Sequence, residues 1–385
     1  MNINKINYNY NYNPSQTHKA PAFKAQMPEK FYVFAEKNSI KLEFASRKLL
    51  NSITTLYSKA YPKILQIFNK TKANAVIQSQ KMINNLTTIN KSTPEYMGAT
   101  YIISRMLSAG QEVEINIEDG ELQDIADSNE ACIFIMNHDK QKMDSKMVNF
   151  FNALLSREYI LKGKSKDCPR PKIILNKDII ESMNPETKQL AKTWGAVGVD
   201  ASIHCVNHVF NGRITAGLVN DLIKDKVNLF IFPEGRMCAF KNMNPDWKFQ
   251  GGISDIIKAT AKKKDRAKVV PLGFAYNKDI SSIHIGKPLY FKKDNDKILF
   301  TSGTVDEELS NSAYREYLDE VPADNEGYRP ILEKGEQVPY RKSRDYISGI
   351  LCDNLVVCKK MAAKSIKDAG TDSDDSVLHV IEDLI

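Results

Sequence analysis

The sequence predicts an α/β protein in which a mixed, largely parallel sheet is flanked by helices and preceded by an N-terminal helical region. The first observation is a series of short apolar runs with the length of buried strands, at residues 131–136, 172–175, 196–199, 227–232 and 269–274. The second is a set of helical segments between these runs, at about 143–156, 185–194, 214–225 and 251–264. Strands that alternate with helices are typical of a parallel or mixed sheet covered by helices.

Length and composition exclude several classes of protein. The chain has 385 residues, of which 42% are hydrophobic and 26% charged, as in globular proteins rather than collagen, coiled coils or wholly disordered chains. The longest apolar runs span about half a dozen residues, whereas a membrane-spanning helix needs roughly 18, so no such helix is predicted. The formal net charge of +7 is compatible with anionic lipid, phosphorylated substrates, acidic carrier proteins or nucleic acid, and does not choose among them.

The cysteines and the N-terminus favour a cytoplasmic protein without a metal site. The six cysteines form no Cys-x-x-Cys pair, and no His cluster lies near them, so neither zinc nor a disulfide framework is predicted. The N-terminus lacks the apolar segment of a secretory signal. We therefore expect reduced and mostly buried thiols.

The pattern along the chain divides it into four parts. Residues 1–27 begin with alternating Tyr and Asn and contain few aliphatic residues, which predicts a disordered tail. Residues 28–110 carry apolar residues every three or four positions, which predicts helices that either pack on the main domain or form a layer resting on a membrane or covering a substrate. The α/β domain is expected over residues 111–300. A C-terminal extension is expected over residues 301–385, with a helix at about 343–364.

Distinctive segments follow the apolar runs, where parallel sheets bind ligands beyond the carboxyl ends of their strands. Asn-His occupies 137–138, Gly-Ala-Val-Gly-Val-Asp occupies 195–200, Phe-Pro-Glu-Gly-Arg occupies 232–236 and Val-Pro-Leu occupies 270–272. Each segment alone has an ordinary explanation, such as a structural histidine, a turn or an edge strand. Their order in one chain is more specific.

That order resembles the glycerolipid acyltransferase family, which contains bacterial glycerol-3-phosphate and lysophosphatidic acid acyltransferases. The family's motifs are Asn-His followed by four residues and Asp, then Gly-x-x-x-[Ile/Val]-Asp-Arg, Phe-Pro-Glu-Gly-Thr-Arg and Val-Pro-[Val/Ile]. The four segments match these motifs in sequence order, and lesser matches occur at 249–252 and 285–288, so that the resemblance covers residues 120–292. It implies catalytic roles for His138 and Asp144. The substrate-binding residues that it implies are Asn137, Gly195, Phe232, Pro233, Glu234, Gly235, Arg236 and Pro271.

The chain departs from the family pattern in three places. Five residues instead of four separate His138 from Asp144, so the two side chains can meet only if His138 lies in a loop and Asp144 lies near a helix start. Ala201 stands where the second motif has Arg, and Arg236 comes one place early. The resemblance implies phosphate recognition at these last two positions. The acceptor is therefore either not glycerol-3-phosphate or held by other basic residues, for which the candidates are Lys140, Lys142, Lys162, Lys164 and Arg170.

The chemistry implied by the resemblance is acyl transfer from a thioester to an alcohol. His138 would take the proton of the attacking hydroxyl, and Asp144 would fix the imidazole tautomer. Backbone N–H groups in the turns at 137–140 or 234–236 are the expected oxyanion donors, and Glu234 and Arg236 would position the acceptor head group. Neither a protein nucleophile, a metal nor a cofactor is expected, with acyl-CoA or acyl carrier protein as co-substrate.

The expected function is transfer of a fatty acyl group to a hydroxyl of a glycerol-phosphate or lysophospholipid-type acceptor, as in phospholipid biosynthesis. The enzyme is expected in the cytoplasm, either soluble or peripheral at the inner membrane face. No nucleic-acid partner is expected, because no nucleic-acid module is recognisable. A basic stretch at 258–268 would either meet the carrier protein, CoA phosphates or lipid head groups, or simply solubilise a helix end. The alternative function is a non-catalytic lipid- or acyl-binding protein that retains the acyltransferase fold, which the irregular His-to-Asp spacing would favour.

Overall fold

The computed structural model describes residues 5–6, 112–117, 121–139, 144, 147–148, 151–152, 154–156, 158–159, 162–164, 167–183, 188, 191, 195–200, 208–235, 249, 252–276 and 280–368. The helical region predicted at 28–110, nearly all of the tail predicted at 1–27, and Arg236 lie outside these residues.

The described strands form one mixed sheet of 11 strands and a separate two-stranded hairpin. They are β1 (Lys5–Ile6), β2 (Glu112–Ile117), β3 (Cys132–Met136), β4 (Arg170–Asn176), β5 (Ala196–Val199), β6 (Val227–Ile231), β7 (Ala267–Tyr276), β8 (Ile280–Ile285), β9 (Leu289–Asp294), β10 (Lys297–Phe300), β11 (Arg329–Pro330), β12 (Leu332–Glu333) and β13 (Glu336–Gln337). The main path is β1-β2-β8-β7-β3-β6-β4-β5, with β9, β10 and β11 branching from β7. The segment β7-β3-β6-β4-β5 is parallel throughout, whereas β8 and β9 run antiparallel to β7. The predicted α/β class with a mixed, largely parallel sheet is confirmed.

Helices cover both faces of the sheet. They are α1 (Glu121–Ser128), α2 (Lys177–Ser182), α3 (His208–Leu222), α4 (Gly252–Lys263), α5 (Ser312–Glu320) and α6 (Arg344–Asp368), and the described residues within 144–159 are also helical. Odd-numbered side chains of β3, β6 and β7 pack against α3, α4 and α6, and even-numbered ones pack against α1 and the segment 144–159. This division follows from the period of two along a strand. Within the described part of the chain, no helix is long and apolar enough to cross a membrane.

The local sequence accounts for the position of α4. Its buried residues include Ile253, Ile256 and Ile257, which share one face of a helix with 3.6 residues per turn. An aspartate in the first turn and Lys262 and Lys263 in the last turn match the sign of the helix dipole at each end. The helix predicted at 251–264 therefore forms almost as expected.

The C-terminal extension shares the core of the α/β domain. The helix α6 packs on β7 and β8 at two glycines, because a methyl carbon at Gly273 or Gly286 would lie closer than 3.0 Å to Cys358. Leu351 and Leu355 of α6 are fully buried in the same cluster as the odd-numbered strand residues. The residues beyond 300 therefore help to hold the carboxyl half of β7 in place.

Pro271 lies within β7, an interior strand, although Val-Pro-Leu alone is typical of an edge. The partner on one side of β7 changes from β9 at residues 267–269 to β8 at residues 272–276. Pro271 stands between these two stretches, so its missing N–H interrupts neither ladder. Its carbonyl oxygen accepts a hydrogen bond from Gly286 N–H at 2.9 Å.

Candidate active site

His138 lies in the loop that follows β3, at the carboxyl edge of the parallel strands. The centroid of its ring is 4.5 Å from that of Phe232, which follows the neighbouring strand β6. The His138 side chain is 19% exposed. The imidazole thus packs on an aromatic ring, and the His138 side chain is not completely buried.

The imidazole of His138 pairs with the carboxylate of Asp144. The distance between His138 Nδ1 and Asp144 Oδ2 is 2.6 Å. Asp144 is completely buried and begins a buried helical stripe that continues through Met147, Val148 and Phe151, the i, i+3, i+4 and i+7 positions of one helix face. The sequence predicts that the pair needs His138 in a loop and Asp144 near a helix start. The structure has His138 in a loop and Asp144 in a helical conformation, and the two side chains meet across five intervening residues.

Aromatic packing fixes the segment 144–159 on the sheet below the site. Phe151 meets Phe134 of β3 edge to face at 5.0 Å, and Phe134 stacks on Phe230 of β6 at 4.8 Å between ring centroids. Such pairs restrict both distance and orientation. The buried face formed by Asp144, Met147, Val148 and Phe151 is consequently held against the sheet.

Tyr276, the last residue of β7, is the second partner of Asp144. Its hydroxyl donates a hydrogen bond of 2.6 Å to Asp144 Oδ1. Burial raises the pKa of Asp144, and the hydrogen bonds from His138 and Tyr276 oppose that rise. Burial and the nearby Asp144 charge raise the pKa of Tyr276 well above its usual range, so the phenol stays protonated and donates.

Asn137 joins the end of β3 to β7 through its side chain. Its Nδ2 donates to Phe274 O at 3.0 Å, and its Oδ1 accepts from Phe274 N–H at 2.7 Å. The side-chain amide thereby replaces a backbone peptide and extends the ladder by one step while the chain turns toward His138. Asn137 is fully buried, so the structure gives it a positioning role, whereas the resemblance implied contact with substrate.

Replacing Asn137 with alanine should lower the free energy of unfolding by about 2–4 kcal/mol, because the N–H and C=O of Phe274 would be left buried without this partner. Urea unfolding followed by circular dichroism measures the change. Asn220→Ala is the matched control, since Asn220 is exposed on α3 and alanine favours a helix surface. Equal stability of the two variants would contradict the role given to Asn137.

Glu234 holds the backbone of the His138 loop. Its side chain is 1% exposed, and its Oε1 accepts a hydrogen bond of 2.6 Å from His138 N–H. Glu234 therefore positions the loop, whereas the sequence predicted a contact with the acceptor head group. The N–H of Gly235 bonds to Phe232 O at 3.3 Å. Two of the backbone donors expected for an oxyanion are thus already engaged within the protein.

Asp139 contacts the C-terminal helix. Its Oδ1 lies 3.0 Å from Lys359 Nζ of α6, and its Oδ2 accepts from Asn137 Nδ2 at 3.2 Å. The carboxylate that contacts the His138 ring is therefore that of Asp144, whereas Asp139 bonds to Lys359 and Asn137. The ion pair ties the loop to α6.

The structure places Gly195 apart from His138 and Pro271 inside β7. Gly195 precedes β5, which is three strands from β3, and it is level in register with Ile133 at the start of β3. Its φ of +83° and the backbone of Pro171 leave no space for a side chain, so a glycine is required by the turn itself. Pro271 is buried inside β7. Pro233 is also buried, within the turn that carries Phe232 and Glu234.

Of the basic residues predicted to bind phosphate, the three that the structure describes lie at the amino edge of the parallel strands, opposite to His138. Lys162 and Lys164 pair with Asp127 at 2.6 and 3.5 Å, near the end of α1 that leads into β3. Arg170 begins β4 at its amino end. Lys140, Lys142 and Ala201 lie outside the described residues.

The basic stretch at 258–268 is also largely paired within the protein. Lys264 lies 2.5 Å from Asp225, and Arg266 lies 2.9 Å from Glu130. Both carboxylates are close to the amino ends of β3 and β6. This part of the stretch stabilises the edge of the sheet opposite to the one that carries His138.

Sequence reasoning missed Tyr276 and Lys359. Tyr276 does have a signal, because it continues the even-numbered series that faces the segment 144–159 and ends that series with a polar tip at the carboxyl end of β7. Lys359 has none, since its contact with Asp139 spans 220 positions and depends on how α6 crosses the sheet.

Within the described ranges, no three His, Cys, Asp or Glu side chains converge as a metal site requires. Comparison of the chain with protein-family models finds no matching family, and comparison with curated proteins finds no matching relative. What the chain does is therefore inferred from the geometry around His138 and from its motifs.

Proposed function

We propose that this protein is an O-acyltransferase that moves a fatty acyl group from acyl-CoA or acyl carrier protein to a hydroxyl of a glycerol-phosphate or lysophospholipid-type acceptor. The observation that carries the proposal is the 2.6 Å contact between His138 Nδ1 and the buried Asp144 carboxylate. The pair lies where α/β sheets bind their ligands, at the carboxyl edge of parallel strands.

The pair suits His138 for general-base catalysis. A proton on Nδ1, shared with Asp144, leaves Nε2 as the basic nitrogen. None of the described residues is a hydrogen-bonding partner of Nε2. Nε2 is therefore the ring nitrogen that receives the proton in the proposed reaction.

The reaction then proceeds by direct attack. His138 Nε2 removes the proton of the acceptor hydroxyl while the hydroxyl oxygen attacks the thioester carbonyl carbon. The tetrahedral intermediate collapses, the carbon–sulfur bond breaks, and the imidazolium returns its proton to the departing thiolate. The products are an ester and a free thiol. Asp144 stabilises the imidazolium between the two steps.

The motifs are what support a glycerol-phosphate or lysophospholipid-type acceptor. The described residues form no phosphate site that would support it further. Asn137-His138 and the Phe-Pro-Glu-Gly turn at 232–235 are the motif residues that meet at the carboxyl edge. Acyl donors and lipid acceptors are anionic, in keeping with the excess of basic residues. We place the enzyme in the cytoplasm, with reversible contact at the inner membrane face.

Thiol release from palmitoyl-CoA and from palmitoyl-acyl carrier protein tests the proposal. Glycerol-3-phosphate, lysophosphatidic acid and a non-phosphorylated monoacylglycerol are offered in parallel, and products are identified by mass spectrometry. Acceptor-dependent release should fall about 10²- to 10⁴-fold in His138→Ala, because a general base contributes that much. Circular dichroism confirms that the variant is folded.

Two results would contradict the proposal. Equal release by wild type and His138→Ala would show that His138 is not the base. Absence of release with every acceptor, together with binding of lysophosphatidic acid or palmitoyl-CoA, would identify a non-catalytic lipid- or acyl-binding protein.

A further inference from the structure

The carboxylate of Asp144 is held from two sides. His138 Nδ1 lies 2.6 Å from Oδ2, and the Tyr276 hydroxyl donates to Oδ1 at 2.6 Å. Asp144 and Tyr276 are both buried. A carboxylate with a donor on each oxygen keeps a fixed plane, and that plane determines where the imidazole points.

Tyr276 reaches this position because β7 is longer than its neighbour. The last paired residue of β3, Met136, is level with Leu272, so β7 continues beyond the end of β3 and alongside the loop that carries His138. Asn137 fixes this overhang through both main-chain groups of Phe274. Tyr276 follows on the same face of the strand as Phe274, which directs it toward the segment 144–159.

From this geometry we infer that Tyr276 is a positioning residue that orients the Asp144–His138 pair. We call the hydrogen-bonded chain of Tyr276, Asp144 and His138 the relay. The inference rests on the proposed function, because it assigns Tyr276 a role in setting the basicity and the direction of the proposed base. Tyr276 acts through Asp144 and need not contact the substrate.

The charged and titratable groups around Asp144 determine in which direction its pKa changes when the Tyr276 hydroxyl is removed. They are His138 and Asp139 from the loop after β3 and Tyr276 from β7. The Tyr276 hydrogen bond favours the ionised carboxylate, whereas burial and the Asp139 charge disfavour it. Without the hydroxyl, the pKa of Asp144 rises further, and the pair takes up a proton at higher pH.

Tyr276→Phe is the test, because it removes one oxygen and keeps the ring. With the acyl donor and acceptor of the proposed reaction, kcat should fall about 10-fold with little change in KM, because the carboxylate no longer holds the imidazole in one orientation. The acidic limb of the pH profile of kcat/KM should move to higher pH.

Tyr314→Phe is the matched control. Tyr314 is a buried tyrosine whose hydroxyl donates to Ser302 O at 2.8 Å, in the other core cluster. Its loss should lower stability without altering kcat or the pH profile. Identical kcat and pH profiles for the two variants would overturn the inference.

Proton NMR tests the relay independently of the reaction. A hydrogen bond between a ring N–H and a carboxylate produces a far-downfield resonance, which is assigned to His138 by its absence in His138→Gln. The Tyr276→Phe change should shift or broaden this resonance, and the Tyr314→Phe change should not. An unchanged resonance in Tyr276→Phe would overturn the inference even if no acyl transfer is found. A changed resonance would support the relay even if the proposed acyl transfer fails.

Discussion

Asp144→Asn should reduce kcat/KM of acyl transfer on the order of 10⁴-fold while the protein stays folded. The amide can accept from Tyr276 through its oxygen, but its NH₂ group then faces His138 Nδ1. Because that nitrogen must now accept a hydrogen bond, the ring proton moves to Nε2. Nε2 then carries a proton and can no longer take the proton of the attacking hydroxyl.

The stability of Asp144→Asn should not fall with its activity. Burial raises the pKa of Asp144 above its ordinary value of 3.8. Between 3.8, the pKa in the unfolded chain, and the raised pKa in the folded chain, only the folded protein still holds this proton. The free energy of unfolding therefore decreases as pH rises through that interval. Above it, the folded protein bears the cost of a buried charge. Asparagine carries no charge, so the unfolding midpoint at pH 7 should be equal to or higher than that of wild type.

Steady-state kinetics and thermal unfolding check both halves of this prediction. Asp225→Asn is the control, because it is the same substitution at a site near the amino ends of β3 and β6. Asp225 there pairs with Lys264 and accepts a hydrogen bond from Ala131 N–H at 2.7 Å. It should retain full activity. An active Asp144→Asn protein would show that the imidazole tautomer is not set by this carboxylate, and an unfolded one would show that Asp144 is part of the structural core.

Much of the fold is predictable from the sequence because its central strands contain apolar runs of four to six residues. The prediction at 196–199 coincides with β5, and the helix predicted at about 343–364 is α6. The pattern fails where polar side chains are buried. The strand β8 carries Ser281, Ser282 and His284, which are 0–3% exposed, so it shows neither an apolar run nor a clear alternation. Lys268 is 4% exposed within β7, and it shortens the apolar run that predicts this strand.

The His138–Asp144 pair is predictable for a different reason from the rest of the candidate site. His138 and Asp144 are only six positions apart, so their contact depends on local chain geometry and not on the order of the strands. The Glu234 and Tyr276 contacts require that β6 and β7 lie on either side of β3. Nothing in the local sequence of these strands specifies that order. Glu234 was therefore expected at the substrate, and Tyr276 was not recognised.

Gly273→Ala should lower the free energy of unfolding by about 3 kcal/mol. A methyl carbon at Gly273 would lie closer than 3.0 Å to the carbonyl of Cys358 and the nitrogen of Lys359. Both are backbone atoms of α6 and cannot rotate away, so the helix has to move off the sheet. Urea unfolding measures the loss.

Gly349→Ala is the matched control, because it adds the same methyl group on α6 with nothing within 4 Å of it. Inside a helix, alanine should leave stability unchanged or raise it by up to about 1 kcal/mol. If the two variants were equally stable, the close packing of α6 on β7 would be refuted.

The Gly273→Ala change should also reach the active site. Gly273 lies between Leu272, which is level with Met136 at the end of β3, and Phe274, which holds Asn137. Moving α6 away also separates Lys359 from Asp139. The loop that carries His138 therefore loses support on two sides, and the folded fraction of Gly273→Ala should show reduced kcat where Gly349→Ala does not. Full kcat in the folded fraction would mean that α6 stabilises the sheet without positioning His138.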